Sequence, residues 1–230
     1  AMVRPVDSDY YTQAELAVTL KPLDIFEQAS RTAGSRQHGE VMIRSIATIV
    51  KKLKLDTHEN VGGGTLDLPE RELHTTAGWI ALEPAAVADW RREELDAALV
   101  GAGRALQTVA SVLLMADPHD LGLVAQVQSP HAERPVIYLW EAAPGGVGMS
   151  PRLFERTDEL VQGALELVTG CVCEMGCPAC VGPRGESRLD GRVLATRLLR
   201  LLAGPAATAE QAPAVAESRV SPVEPVAPAA

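Results

Sequence analysis

Aromatic residues are scarce: three Trp, three Tyr and two Phe make up 3% of the 230 residues. A hydrophobic share of 47% must therefore fill the interior with Ala, Val and Leu. The start AMVRPVDSDYY holds no basic-then-apolar leader. No apolar run is long enough to span a bilayer, since Val109–Met115 and Leu160–Val168 are too short or too interrupted. These absences point to a cytoplasmic protein with no membrane partner. Also missing are a Walker-type phosphate loop, an acidic helicase box, HExxH and a nucleophile elbow. His38, His58, His74, His119 and His131 are scattered without ligand spacing, so no catalytic residue is assigned. A net charge of −9 argues against a free-standing nucleic-acid binder, whose affinity comes from neutralising phosphates.

Cysteine is absent except from one window, GCVCEMGCPACVGP, which holds Cys171, Cys173, Cys177 and Cys180. Thiolates are soft donors, and four of them suit tetrahedral zinc. The spacing C-x-C-x3-C-x2-C lets two short loops supply a ligand pair each, with Gly176 turning the backbone between them and Pro178 stiffening the second. Two disulfides fit poorly, because Cys residues two apart in an extended chain lie near the upper Cα separation, about 7 Å, that a disulfide tolerates. An iron–sulfur cluster also takes four thiolates, though its usual ligand runs are spaced differently. Four cysteinates fill every position around zinc and leave none for water, so the expected role is structural.

Hydrophobic periodicity predicts an α+β chain. Strands are expected at Glu15–Leu20, Glu40–Leu55 and Glu72–Leu82, with His58–Gly64 as a turn, giving an antiparallel meander or small barrel. Helical patterning begins at Pro84, with one helix over Ala85–Leu99 and a second over Leu106–Met115. Two short strands follow at Leu121–Val127 and Pro135–Glu141. A helix capped by Ser150 then runs to Gly170, and a last amphipathic helix covers Leu189–Leu202. The expected division is a β-rich region over 1–83, a helical zinc-binding domain over 84–203 and a disordered Ala/Pro-rich tail over 204–230.

Three further features carry two readings each. Asp117 and Asp120 are paired carboxylates for metal or acid–base work, or Asx-type caps of the next element. Gly145, Gly146 and Gly148 are an anion nest, or a tight strand-to-helix turn. Basic clusters at Arg184, Arg188 and Arg192 and at Lys51 and Lys52 are solvated faces, or surfaces that track phosphate.

The order of a strand, YLWEAAPGGVGMSPRLFE, a helix and CVCEMGCPACVGP resembles the C-terminal zinc-binding domain of mitomycin-repair-type (MrfA-like) superfamily 2 DNA helicases. GRALQTVASVLLMADPHDLG resembles that family's helix and following Asp-containing loop, and DYYTQAELAVTL and LDLPERELHTTAGWIAL the region joining motor to zinc domain. Glu141 stands where the family pattern has Asp, the loop after Cys180 is short, and both motor domains are missing. The Ala1-Met2 start suits an excised fragment; the alternative is a stand-alone subunit. The resemblance implies an accessory, non-catalytic role, with zinc held by the four cysteines and the domain packed on a motor to help guide DNA. Alternatives are a protein–protein adaptor for a separate ATPase and a metal-dependent nuclease using Asp117 and Asp120.

Overall fold

The computed structural model describes residues 8–31, 33–57, 59–182 and 189–204. Its first element is a long hairpin: β1 (Tyr10–Arg31) runs antiparallel to β2 (Gly34–Lys54), with Leu20 opposite Ile43 and Ser30 opposite Ser35. The first strand extends well past the expected end at Leu20. Pro22 does not stop it, because β1 is an edge strand and the proline's missing N–H lies beside a register shift between Pro22 and Asp24.

On its other edge β2 takes two partners end to end. β4 (Arg71–Leu82) covers Gly34–Ser45, and β3 (Asn60–Thr65) covers Ile49–Leu53. The expected glycine turn is thus corrected in part: Asn60–Thr65 is a strand, because β2 outruns β4 and leaves ladder groups that a bare glycine backbone can satisfy. His58 lies outside the described residues. β5 (Leu121–Gln126) and β6 (Val136–Glu141) complete one antiparallel sheet in the order β1-β2-β4-β6-β5. It draws strands from both sides of Pro84, since β4 pairs with β6.

Alternation gives this sheet two apolar faces. Leu20, Val41, Ile43, Ala77, Trp79, Val124, Val136 and Tyr138 line one face. The sheet curls around it until its edge strands β1 and β5 touch, so among the described residues the face is buried without a covering helix. Polar tips inside this curl find partners: Trp79 Nε1 donates to Gln37 Oε1 at 2.6 Å, and the Tyr138 hydroxyl lies 3.2 Å from Ser129 Oγ. Ile80, Leu82, Leu121, Ile137 and Leu139 face the helices.

The central helix is α1 (Arg92–Leu114), followed later by α2 (Met149–Glu155), α3 (Thr157–Gly170) and α4 (Gly191–Leu202). Two expectations need correction here. The pair of helices predicted before Met115 is one helix, preceded only by a 3-10 turn at Pro84–Val87. Gly101 and Gly103 do not break α1; they let neighbours approach. An added Cβ would meet Ala195 Cβ at 3.1 Å from Gly101 and Leu123 Cδ1 at 2.6 Å from Gly103. Conversely, the single helix predicted before Gly170 is two, with Gly148 rather than Ser150 as the N-cap of the first. At the break the Thr157 hydroxyl donates to the carbonyls of Leu153 and Phe154, both at 2.9 Å, competing with helix continuation. Long and apolar enough by composition to cross a membrane, α1 instead lies at the centre of the core.

Candidate metal centre

The chain leaves α3 at Gly170 and enters Cys171 in extended conformation. Gly176 then adopts φ of 120°, a left-handed turn that carries the backbone from the first cysteine pair to the second. At the second pair the Cys180 and Gly182 N–H groups both donate to the Cys177 carbonyl, at 3.1 and 3.0 Å, and the Cys177 N–H donates to Cys180 Sγ at 3.4 Å. This knuckle is anchored from below: Cys180 is fully buried and, with Val181, joins the core against α1 and α4.

Four sulfur atoms meet there. Cys171 Sγ lies 3.6 Å from Cys177 Sγ, Cys173 Sγ 3.5 Å from Cys180 Sγ, and Cys177 Sγ 3.6 Å from Cys180 Sγ. All four lie within 4.8 Å of one another. A disulfide requires about 2 Å, and none is present among these thiols. A tetrahedron with zinc–sulfur bonds of about 2.3 Å has edges of roughly 3.8 Å. The donor set and its spacing therefore fit zinc. The thiols also share protons unevenly. Hydrogen bonds from the Cys173 backbone and from the Cys173 and Cys177 thiols bring Cys171 down to about 7. Burial, followed by its thiol neighbours, pushes Cys173 up to about 12, and burial raises Cys180. A divalent cation supplies the positive charge that four adjacent thiolates need.

Both Asp117 and Asp120 are exposed and serve as caps. The Asp117 carboxylate accepts from the His119 N–H at 2.8 Å, and the Asp120 carboxylate accepts from the Asp117 N–H at 3.0 Å. The glycines make a tight turn, with the Gly145 and Gly146 N–H groups donating to the carbonyls of His74 and Ala143 at 2.8 and 3.1 Å, and the residues that follow hold an internal anion. Glu141, fully buried at the end of β6, accepts from the Val147 N–H at 2.5 Å, the Ser150 N–H at 2.7 Å and the Thr76 hydroxyl at 2.7 Å. Gly146, at φ of 75°, cannot carry a side chain there, because a Cβ would meet Thr76 Oγ1 at 2.3 Å. Burial pushes the Glu141 carboxyl up, yet the Thr76, Val147, Ser150 and Met149 hydrogen bonds together outweigh it and hold the group below the usual value.

Of the basic residues, Lys51 pairs with Glu15 and Lys52 lies 5.1 Å from the Tyr10 ring, both at the far end of the hairpin. Arg192 belongs to the metal end, where its guanidinium meets the carbonyls of Val168, Thr169 and Cys173. Arg184 and Arg188 lie outside the described residues. Sequence reasoning missed both the clamp by Arg192 and the internal anion at Glu141. For Arg192 a signal existed: a cation in the first turn of a helix opposes the helix dipole unless it is engaged elsewhere.

Together, a closed four-thiolate knuckle seated on a helical layer, beside a curled antiparallel sheet, defines a zinc domain. A model of the MrfA Zn-binding domain matches residues 102–181, a span from α1 through all four cysteines. Over those residues the chain is thus similar to the zinc-binding domain of the MrfA family. It is 38% identical over 202 residues to the uncharacterized ATP-dependent helicase YprA of Bacillus subtilis (strain 168), covering 88% of this chain and 26% of that protein. The crystal structure of the DUF1998 helicase MrfA bound to DNA aligns with a TM-score of 0.67 at 36% identity, over 86% of this chain and 26% of the other. The same helicase bound to DNA and AMPPNP aligns with a TM-score of 0.52 at 36% identity, over 85% of this chain and 23% of the other. The chain thus spans about a quarter of the length of these relatives.

Proposed function

We propose that this chain is the accessory, non-catalytic zinc-bearing part of an ATP-dependent DNA-repair helicase, packing on superfamily 2 motor domains and helping guide a DNA strand. The motor belongs either to the same polypeptide or to a separate subunit, and the setting is cytoplasmic. The observation that carries this reading is the closed sulfur cluster: with cysteine at all four positions, zinc stabilises the fold and has no place for a substrate. Helicase relatives, one of them solved with DNA, support the choice of partners. Charge suggests Arg184, Arg188 and Arg192, which follow the cysteines in sequence, and Lys51 and Lys52 on the hairpin as DNA contacts; the Arg192 guanidinium is engaged by main-chain carbonyls, so we favour the other four. The nuclease reading loses support because Asp117 and Asp120 cap each other's backbone.

An adaptor role is compatible with this function and draws on a specific observation. Tyr11, Ile46, Ile49 and Val61 leave the hairpin with an apolar surface exposed to solvent. DNA binding measured across a salt series separates the two. A guiding module shows affinity that falls with salt, and its slope shrinks when Lys51 and Lys52 are replaced by Ala. A pure adaptor binds the motor and shows no such slope. Mg²⁺-dependent cleavage of DNA that disappears in Asp120→Ala overturns the non-catalytic assignment.

A further inference from the structure

We propose that Arg192 is the positioning residue of the metal loop, locking the end of α3 and the first cysteine pair onto the start of α4. Arg192 sits in the first turn of that helix, where Asp190 fixes the backbone by accepting from the Arg192 and Val193 N–H groups, each at 3.1 Å. From this fixed base the side chain reaches back. Its Nε donates to the Val168 carbonyl at 3.0 Å, its Nη2 to the Thr169 carbonyl at 3.1 Å, and its Nη1 to the Cys173 carbonyl. Val168 and Thr169 lie in the last turn of α3, whose carbonyls have no helical partner. Cys173 is itself a zinc ligand, so one guanidinium ties a ligand residue to the ends of two helices.

Two physical reasons make arginine suited to this position. The planar fork offers five N–H donors in fixed directions, so it spans three carbonyls that a lysine ammonium cannot reach together. Four cysteinates around a divalent ion also leave a net negative centre, which a fixed neighbouring cation stabilises. The second reason rests on zinc occupying the cluster.

The test follows zinc release from the full chain to a chromogenic chelator, together with the absorption spectrum of the cobalt-substituted protein. Arg192→Ala is expected to release zinc about ten times faster than the parent and to change the cobalt spectrum, while Arg192→Lys recovers only part of the loss. Arg31→Ala is the control, because Arg31 Nη2 donates to the Leu202 carbonyl at the opposite end of α4, at 2.7 Å, and touches no ligand residue. It is expected to leave both readouts at parent values. Should Arg192→Ala fail to fold, Arg192→Lys decides, and parent-like zinc release in that variant overturns the proposal. Equal acceleration by Arg31→Ala overturns it too, by showing a general loosening of the helices. So does an Arg192→Ala that keeps parent zinc kinetics but lowers the DNA salt slope by about one, which makes Arg192 a phosphate contact. A parent chain that takes up no zinc sinks the zinc assignment itself, a different failure from any of these.

Discussion

The two ends of this molecule are held together on opposite terms. At the hairpin end, β1, β2 and β3 are held together by backbone pairing, but most of their side chains remain in solvent: Leu16 is 62% exposed, and Tyr11, Ile49, Leu55 and Val61 are exposed as well. At the metal end, small residues let α1, α4 and the cysteine loop approach closely, and Leu198, Leu199, Ala195 and Cys180 are completely buried. Backbone ladders alone thus shape an arm, whereas side-chain burial plus a metal makes a rigid end-piece. An arm of that kind gains most from a partner; the end-piece gains most from its ion.

The largest effect that would sharpen this contrast is removal of the metal. Structural zinc contributes on the order of 10 kcal/mol in small zinc domains, comparable with the stability of a whole domain. Chelation, or Cys177→Ser, should therefore abolish hydrogen-exchange protection around Gly170–Leu202 and lower the melting temperature steeply, while protection of the β2–β4 ladder survives longer. A Cys177→Ser protein that melts like the parent, with no zinc in either, breaks the comparison. Next comes a pair of truncations. Leu198→Ala removes a fully buried side chain and should cost about 2–5 kcal/mol, whereas Leu16→Ala in the arm should stay within about 0.5 kcal/mol. Equal denaturant midpoint shifts for the two would show that the arm is not the loosely held region.

Smaller again is the effect at Glu141. Glu141→Gln leaves hydrogen-bond donors facing a neutral amide and should lose about 1–3 kcal/mol. Its signature is a pH dependence. The folded-state carboxyl is held below the roughly 4.3 of an unfolded glutamate. Its contribution is therefore complete above that value and fades as pH falls through the folded-state value. The Gln variant should show less acid destabilisation than the parent as pH falls below about 4.3, and parallel curves would remove Glu141 from that role. The smallest effect is expected at the arm: Lys52→Ala should leave the melting temperature unchanged while shaving the DNA salt slope by about one.

Much of this was legible before any coordinates. Val41, Ile43, Trp79, Val136 and Tyr138 stand in β-branched and aromatic runs that mark strands, and all of them line the curl. Glycine proved the weak signal, because one residue type plays different parts. In α1 it admits neighbours without ending the helix, in β3 it pairs as a bare strand, and in the turn before α2 it makes room for Thr76. Nothing in the local pattern at Gly62–Gly64 distinguishes a turn from an edge strand; the length of β2 beyond β4 does.

The sequence by itself determined the metal centre, since the four thiols lie within ten residues and their short loop can bring them together in few ways. Only the tertiary structure decided which groups serve that centre and which serve the fold. Arg192 meets carbonyls 19 to 24 positions away. Glu141 meets a hydroxyl 65 positions away. Contacts at such separations follow from how the strands and helices stack, a cooperative property of the whole chain that no short window of residues encodes.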